Sequence, residues 1–430
     1  MRFAFFVLLT GALSFANSLP SRAAGSLSLA EAQRVATTDA PQLAAQAAVL
    51  RAVQQSVITA TEQADPKLII GVDNLPVDTS DRFSFTRDFM TMRKIGFMQE
   101  FTRGEKLKLR GERAEAEVRK EAAVLSLTEV NLRRDVALAW IERYFAERNL
   151  DLLTELARES ELQMIAAQAS LSGGKGQVSD PLAQRLAIAL VADRTIDAAR
   201  TVAKAKANLG RWIGVVAKQT LDVAPAFDEL AAHHSNLIRD IDSHPHLAIY
   251  TPMAAMAQSE VQLANAAKHP DWSLEVAYAQ RGPAFSNMLS IGVRIDLPIF
   301  QRQRQDPAIA AKLALSEQIR AQTEDARRAH LAEIESLLVD WDSAKQRVAK
   351  YNADLLPLAK ARTDVTLAAY RGGKGDLALV LEARKGEIDM RMNQLAAQAE
   401  MARAWANLNF LTLPTAAYDP PKSAMKASTP

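Results

Sequence analysis

The chain has 430 residues, 48% hydrophobic, 24% charged and 6% aromatic, too long for one ordinary domain and too apolar for disorder. Lys and Arg number 52 against 50 acidic residues, so no basic surplus points to a nucleic-acid partner. The absence of cysteine excludes disulfides, thiolate metal sites and lipid attachment at a processed N-terminal cysteine.

Residues 1–24 read as a secretory signal peptide. Arg2 supplies the positive start, residues 3–13 are apolar but too short to span a membrane, and Ser21-Arg22-Ala23 offers a cleavage site. Cleavage there removes Arg2 and Arg22 and no acid, taking the basic count from 52 to 50, equal to the acidic count. No later stretch approaches the roughly 20 apolar residues of a membrane helix, so any crossing must be made by strands.

Residues 29–63 are Ala-rich and helical in pattern, interrupted by Asp39-Ala40-Pro41. Two strand-like runs follow, 67–73 and 83–101, joined by the turn-rich segment 74–82. Residues 104–170 then contain no proline and, after Gly111, no glycine. Leu138, Ile141, Phe145, Leu152 and Leu156 recur there at helical steps, the stripe of a helix that packs on another helix. About 65 helical residues span roughly 100 Å, far beyond a globular helix. Leu171-Ser-Gly-Gly-Lys-Gly176 reverses the chain, and a returning helix supplies the partner.

The whole sequence of elements then recurs. Residues 246–268 are helical, entered through His244-Pro245. Trp272, Leu274, Val276 and Tyr278 alternate with Ser273, Glu275, Ala277 and Ala279. Ser290, Gly292, Arg294 and Asp296 alternate with Ile291, Val293, Ile295 and Leu297, the period of a half-buried strand. Asp306-Pro307 opens a second long helix that runs to Arg371. Arg371-Gly-Gly-Lys-Gly375 repeats the first turn 199 residues on. The returning stripe is Ile388, Met392, Leu395, Ala399, Ala402, Ala406 and Phe410.

The repeat is in register over several blocks. Leu182, Arg185 and Ala207-Asn208-Leu209 match Leu381, Arg384 and Ala406-Asn407-Leu408; Ile95-Gly96 matches Ile291-Gly292; Pro41 matches Pro245. The expected units are residues 25–225 (strand hairpin 67–101, helical hairpin 104–214) and 226–414 (strand hairpin 272–298, helical hairpin 306–411), with 415–430 a flexible tail. The expected fold is mainly α with a small membrane β-barrel. Four strands cannot close on themselves in lipid, so oligomerisation is expected if they span a membrane; three chains would give twelve strands, and the same symmetry would arrange the long helices as an α-helical barrel.

The layout and its motifs resemble the TolC outer-membrane efflux family over essentially the whole mature chain. Residues 27–36 with Pro41-Gln42-Leu43 look like its opening helix, 95–101 and 291–300 like its strand-to-helix transitions, and 370–384 like its periplasmic helix-turn-helix tip. The resemblance implies a homotrimer in the outer membrane, docked on a periplasmic adaptor protein and an inner-membrane RND-type pump. It places Gly173, Gly174, Lys175 and Gly176, with Gly372, Gly373, Lys374 and Gly375, at the docking tips. It places Tyr370, Glu382 and Arg384 at the periplasmic entrance. Leu379 stands where some members have an acid, so no strongly cation-selective ring is expected there. Residues 73–76 and 83–93 are similar to members paired with heavy-metal cation pumps.

Other readings carry less. His233, His234, His244 and His246 lie close together but without regular ligand spacing, and a solvated linker is expected. Met90 and Met92 are expected to pack rather than to handle metal. Gly-Gly-Lys-Gly lacks the full phosphate-loop pattern and sits between helices. No catalytic group, metal site or cofactor is expected. The alternatives to a channel are a periplasmic adaptor, expected to carry one helical hairpin between β-rich halves, and a coiled-coil scaffold, which leaves the strands unexplained.

Overall fold

The computed structural model describes residues 26–174, 178–230 and 234–412. The expected signal peptide and C-terminal tail, together with Lys175, Gly176 and His233, lie outside them.

The chain is mainly helical with one small antiparallel sheet, and its elements come in the duplicated order. The first unit comprises α1 (Leu29–Thr38), α2 (Pro41–Thr61), β1 (Lys67–Asp73), β2 (Met92–Phe101), α3 (Gly104–Ser172) and α4 (Ser179–Ile213). A linker carries α5 (His234–Arg239). The second unit comprises α6 (Pro245–Ala248), α7 (Tyr250–Ala266), β3 (Trp272–Gln280), β4 (Met288–Ile295), α8 (Gln305–Lys350), α9 (Leu356–Arg371) and α10 (Leu377–Asn409).

The 69 residues of α3 extend about 100 Å as one unbroken helix, because nothing between Gly111 and the Gly173 cap disrupts it. Such a helix is stable only with partners along its length. α4 packs on its tip half, whereas α2 and α7 pack on its strand half. The core is a belt around the middle of the long helices. Leu132, Trp140 and Ile141 of α3 meet Leu209 of α4, Ile334 and Trp341 of α8, and Ala402, Trp405 and Leu408 of α10. Ala397, Ala399, Ala402, Ala404 and Ala406 of α10 are buried in this belt. Arg143, almost fully buried, ties this belt to the segment after α4, donating to the Ala217 and Gln219 carbonyls at 2.7 Å each.

The sheet is a meander in the order β1-β2-β3-β4, antiparallel throughout, so the two units meet at the β2–β3 ladder. β1 and β3 have the expected limits. The expected strand 83–101 forms a ladder only from Met92. Upstream, the Asp88 carboxylate accepts from the Met90 and Thr91 amides and the Ser84 hydroxyl accepts from the Arg87 amide, so local side chains compete with the ladder. β4 ends at Ile295, before Asp296 and a proline that cannot donate.

The helices also depart in detail. The helical stretch 29–63 is interrupted where expected, at Asp39-Ala40 ahead of Pro41, but its second helix ends at Thr61. In the second unit Ile249 separates α6 from α7. The second long helix is interrupted by a π turn at Tyr351–Leu355, just before Pro357, whose missing N–H cannot continue the α ladder. In the first stripe Leu153 rather than Leu152 turns inward.

Candidate functional site

The sheet has two chemically distinct faces. On one, Leu68, Phe97, Val276 and Ile291 form a cross-strand row, and Ile70, Ile95, Tyr278 and Leu289 form the next. All eight are exposed, from 39% at Val276 to 73% at Ile70. The opposite face carries mostly small and charged residues, with Ile69 and Met98 among them: Ile69, Gly96, Ala277 and Ser290 in one row, Lys67, Met98, Glu275 and Gly292 in the next. There Glu275 pairs with Lys94 at 2.7 Å and lies 3.6 Å from Arg294. At the helix-side end of the sheet Phe101 and Trp272 stack with centroids 4.2 Å apart. β1 and β4 each pair on one side only, leaving two open edges.

The helical hairpins end in matching turns. Gly174 and Gly373 adopt φ of +70° and +71°, a left-handed conformation that glycine takes without strain. The amide of Gly173 donates to Ala169 O, and that of Gly372 to Ala368 O, both at 3.0 Å. The Lys374 amide reaches back to Ala369 O at 3.0 Å, and the Asp376 side chain caps α10 through the Ala378 amide at 3.1 Å. Gly375 lies so close to the preceding turn that a Cβ would come within 2.9 Å of the Tyr370 nitrogen. Lys374 projects into solvent.

The three expected entrance residues do not form one group. Tyr370 is half-buried, and its carbonyl accepts from the Gly373 amide at 3.0 Å. Glu382 is exposed and pairs with Arg362 of α9 at 2.9 Å. Arg384 instead joins the two hairpins. It grips Glu159 of α3 with two hydrogen bonds, 3.1 Å from Nε and 2.9 Å from Nη2, and reaches Glu387 at 3.0 Å through Nη1. Arg391 adds a second crossing, donating to Glu387 at 2.9 Å and to Glu155 at 3.1 Å.

Burial disfavours the charge on Glu387, but hydrogen bonding from Arg384 and the charges of Arg384 and Arg391 outweigh it and hold the carboxyl below its ordinary range. Hydrogen bonds donated to Glu159 raise the Arg384 guanidinium further still, so this cluster stays ionised across ordinary pH. Glu155, Glu159, Glu387 and Arg391 were not singled out in the sequence. Their only signal is spacing: Arg384, Glu387 and Arg391 fall at i, i+3 and i+7 on one helix, and Glu155 and Glu159 at i and i+4 on another.

The histidine linker is corrected. His244 is 1% exposed, because its side chain turns into the seam between the linker and α8, where it meets His330. His330, 86 residues later, gave no sign of this partnership in the sequence. Among the described residues no group of three or more His, Cys, Asp or Glu is arranged to hold a metal ion. No described helix is long and apolar enough to cross a membrane.

Residues 245–412 match the family model of outer membrane efflux proteins. No curated protein matches the sequence. The fold is that of several solved outer-membrane channels. Against CusC, whose structures follow folding and transmembrane channel formation, the TM-score is 0.74 at 15% identity, covering 89% of this chain and 92% of that one. Against the outer membrane protein VceC of Vibrio cholerae it is 0.74 at 17% identity, covering 89% and 95%. Against the Neisseria gonorrhoeae MtrE outer membrane channel in its open state it is 0.72 at 15% identity, covering 89% and 88%.

Proposed function

We propose that this chain, recognised as an outer membrane efflux protein through its second repeat, is the outer-membrane channel subunit of a tripartite efflux system. The observation that carries the reading is the sheet with one apolar face, one face of mostly small and charged residues, and two unpaired edges. In lipid an open edge is costly, and a hydrocarbon-facing surface must be apolar. Four strands per chain therefore favour closure with further copies, and three copies give a twelve-stranded barrel whose polar face lines the lumen. Strands of seven to ten residues approach the length that a tilted membrane strand needs. The stacked Phe101 and Trp272 suit an interfacial belt.

The long hairpins then form a periplasmic tube continuing the lumen. The channel works as a passive conduit rather than a catalyst. The glycine turns at 173–176 and 372–375 dock the adaptor, whose inner-membrane partner is an RND-type pump, and Lys374 offers an exposed donor at that surface. The Arg384–Glu159 clasp holds the second hairpin against the first, and adaptor docking shifts a closed–open equilibrium by releasing it. Heavy-metal cations are the proposed cargo, on the resemblance of residues 73–76 and 83–93 alone.

The deciding experiment is fractionation of expressing cells followed by sizing in mild detergent. An outer-membrane protein running near three times the chain mass supports the channel. A soluble periplasmic monomer overturns it in favour of a coiled-coil scaffold.

A further inference from the structure

Four ring and carboxylate groups meet in the middle of the molecule, away from the sheet and from the tips. His244 lies between a short 3-10 turn (Ile241–Ser243) and α6, with extended backbone. Its amide donates to Ile241 O at 3.0 Å, and its carbonyl accepts from the Leu247 and Ala248 amides at 2.9 and 3.0 Å. The backbone thus fixes the ring, whose Nδ1 lies 3.0 Å from Nε2 of the buried His330 on α8. His330 Nδ1 in turn lies 3.2 Å from Oε2 of Glu333. His246, half-buried, stacks on the His330 ring with centroids 5.0 Å apart.

The directions of these bonds follow from what each group can do. An ionised carboxylate only accepts, so His330 Nδ1 carries hydrogen. Neutral His330 then has a bare Nε2, and the hydrogen between the two rings belongs to His244 Nδ1. One proton entering the pair can be absorbed, because the two facing nitrogens then still share a single hydrogen, one donating and the other accepting. A second proton cannot. Both facing nitrogens would then carry hydrogen, and two cations would sit in a buried seam beside the stacked His246.

Other charges face the cluster from each packed element. Asp240 and Asp242, the latter paired with Arg327 at 2.9 Å, favour a charged His244. Glu333 favours a charged His246, and Arg134 of α3 opposes it. Burial is the largest influence and lowers His244 to about 4, with His330 and His246 adding to it; His246 is lowered in the same way.

We propose that His244, His246 and His330 form a pH-sensitive latch between the inter-repeat linker and α8, closed at neutral pH and opened when the cluster takes a second proton. Its position depends on the fold alone and not on the channel reading. The sign follows from the depressed histidine. Above the ordinary histidine value, near 6.5, both open and closed forms are neutral and the latch is at full strength. As pH falls from there toward 4 the open form takes up the proton first, so closure weakens.

The test is amide hydrogen exchange on the full-length protein in mild detergent, corrected for intrinsic rates, at about pH 7.5 and about pH 5. Where opening frees His244 completely, the shift to about 4 predicts a loss of protection of about thirtyfold at the Leu247 and Ala248 amides. In the His244→Gln, His330→Gln double variant, whose amides still hydrogen-bond but do not titrate, that loss should fall to less than about threefold. Equal protection at both pH values in the unaltered protein overturns the latch, as does an undiminished loss in the double variant. If the double variant does not fold, titration of the histidine Cε1 resonances of the unaltered protein decides instead. His244 titrating near 4 supports the latch, and titration at the ordinary histidine value overturns it.

Discussion

Trp140 and Trp341 stand at equivalent stations on the two long helices, and each donates its indole N–H to a carbonyl 113 or 114 residues upstream: Leu27 O at 3.0 Å and Phe227 O at 2.8 Å. The duplication therefore extends to a shared anchor that pins the start of each unit onto its own long helix. The two anchors differ in one respect. Leu27 O also accepts from the Asp222 amide at 3.1 Å, whereas Phe227 O has no second donor among the described residues. Trp→Phe should lower stability at both positions, and more at Trp341, where the indole is the one donor to the carbonyl among the described residues, at a cost of about 1–3 kcal/mol. Thermal unfolding of the two single variants in mild detergent measures the order; a larger loss at Trp140 refutes it.

A second prediction concerns the ladder that joins the units. Gly96 faces Ala277 across β2 and β3, and a Cβ there would lie 2.8 Å from the Ala277 Cβ and 3.0 Å from the Val276 carbonyl. Gly96→Val should therefore break the β2–β3 pairing, at about 1–3 kcal/mol or more. Gly71→Ala, on β1 with nothing within 4 Å of the added methyl, should stay within about 1 kcal/mol. The yield of heat-modifiable oligomer on gels compares them, and equal yields would show that the seam tolerates the bulk.

The duplication, both strand hairpins and the long helices were legible because each rests on a local pattern: period two in β3 and β4, a proline-free helix from 104, glycines at the tips. What was not legible depends on residues far apart in the chain. His330 looked like any helix histidine until the fold placed His244 beside it. Arg384 was assigned to the entrance by resemblance, but its partner Glu159, 225 residues earlier, is fixed by how two hairpins lie together. The π turn at Tyr351–Leu355 had one local sign, Pro357, in a stretch otherwise helical in pattern. The 83–91 segment was expected as part of the strand 83–101, whereas Ser84 and Asp88 there hydrogen-bond to nearby backbone amides.

Asp271 anchors the strand end to the helix, and its pH response has a definite sign. It accepts from Lys106 at 2.7 Å and from the Arg103 amide at 3.0 Å. Burial disfavours its charge, but those bonds and the Lys106 and Arg110 charges outweigh it and hold the carboxyl below its ordinary range. Its contribution is present above the unfolded value, near 3.8, and is lost as pH falls through the lower folded value. Asp271→Asn should cost about 1 kcal/mol at neutral pH, allowing for the 35% exposure of the carboxylate, and progressively less below about pH 4. Unfolding midpoints across pH should converge for the two proteins; a constant gap would assign the loss to packing.

At the second tip, Gly373 holds φ of +71°, where a β-branched residue is strained by about 1–2 kcal/mol. The site is exposed and far from both the sheet and the central belt, so Gly373→Val should leave oligomer formation unchanged. It should instead distort the turn proposed to meet the adaptor and reduce export. Oligomer yield and export are measured on the same cells, and normal export by the variant removes the turn from the docking surface.

The clasp between hairpins makes the most discriminating case. Arg384 is 34% exposed and Glu387 only 3%, so the pair is neither a surface bridge nor fully desolvated. Arg384→Ala removes both bonds to Glu159 and leaves the buried Glu387 to Arg391 and the Thr363 hydroxyl, a loss of about 1–3 kcal/mol after allowing for exposure. Hairpin two should then separate from hairpin one at the tip, read as a longer distance between spin labels on the two turns and as a larger open fraction in planar-bilayer recordings. Exchanging the charges, Arg384→Glu with Glu159→Arg, should not restore closure. The new carboxylate at 384 would face Glu387, which now sits 3.0 Å from the guanidinium, so repair of one bond creates a like-charge contact in the same buried spot. Full rescue by the exchange would mean that Glu159 alone carries the clasp. Rescue only after Glu387→Gln is added would place Glu387 at its centre.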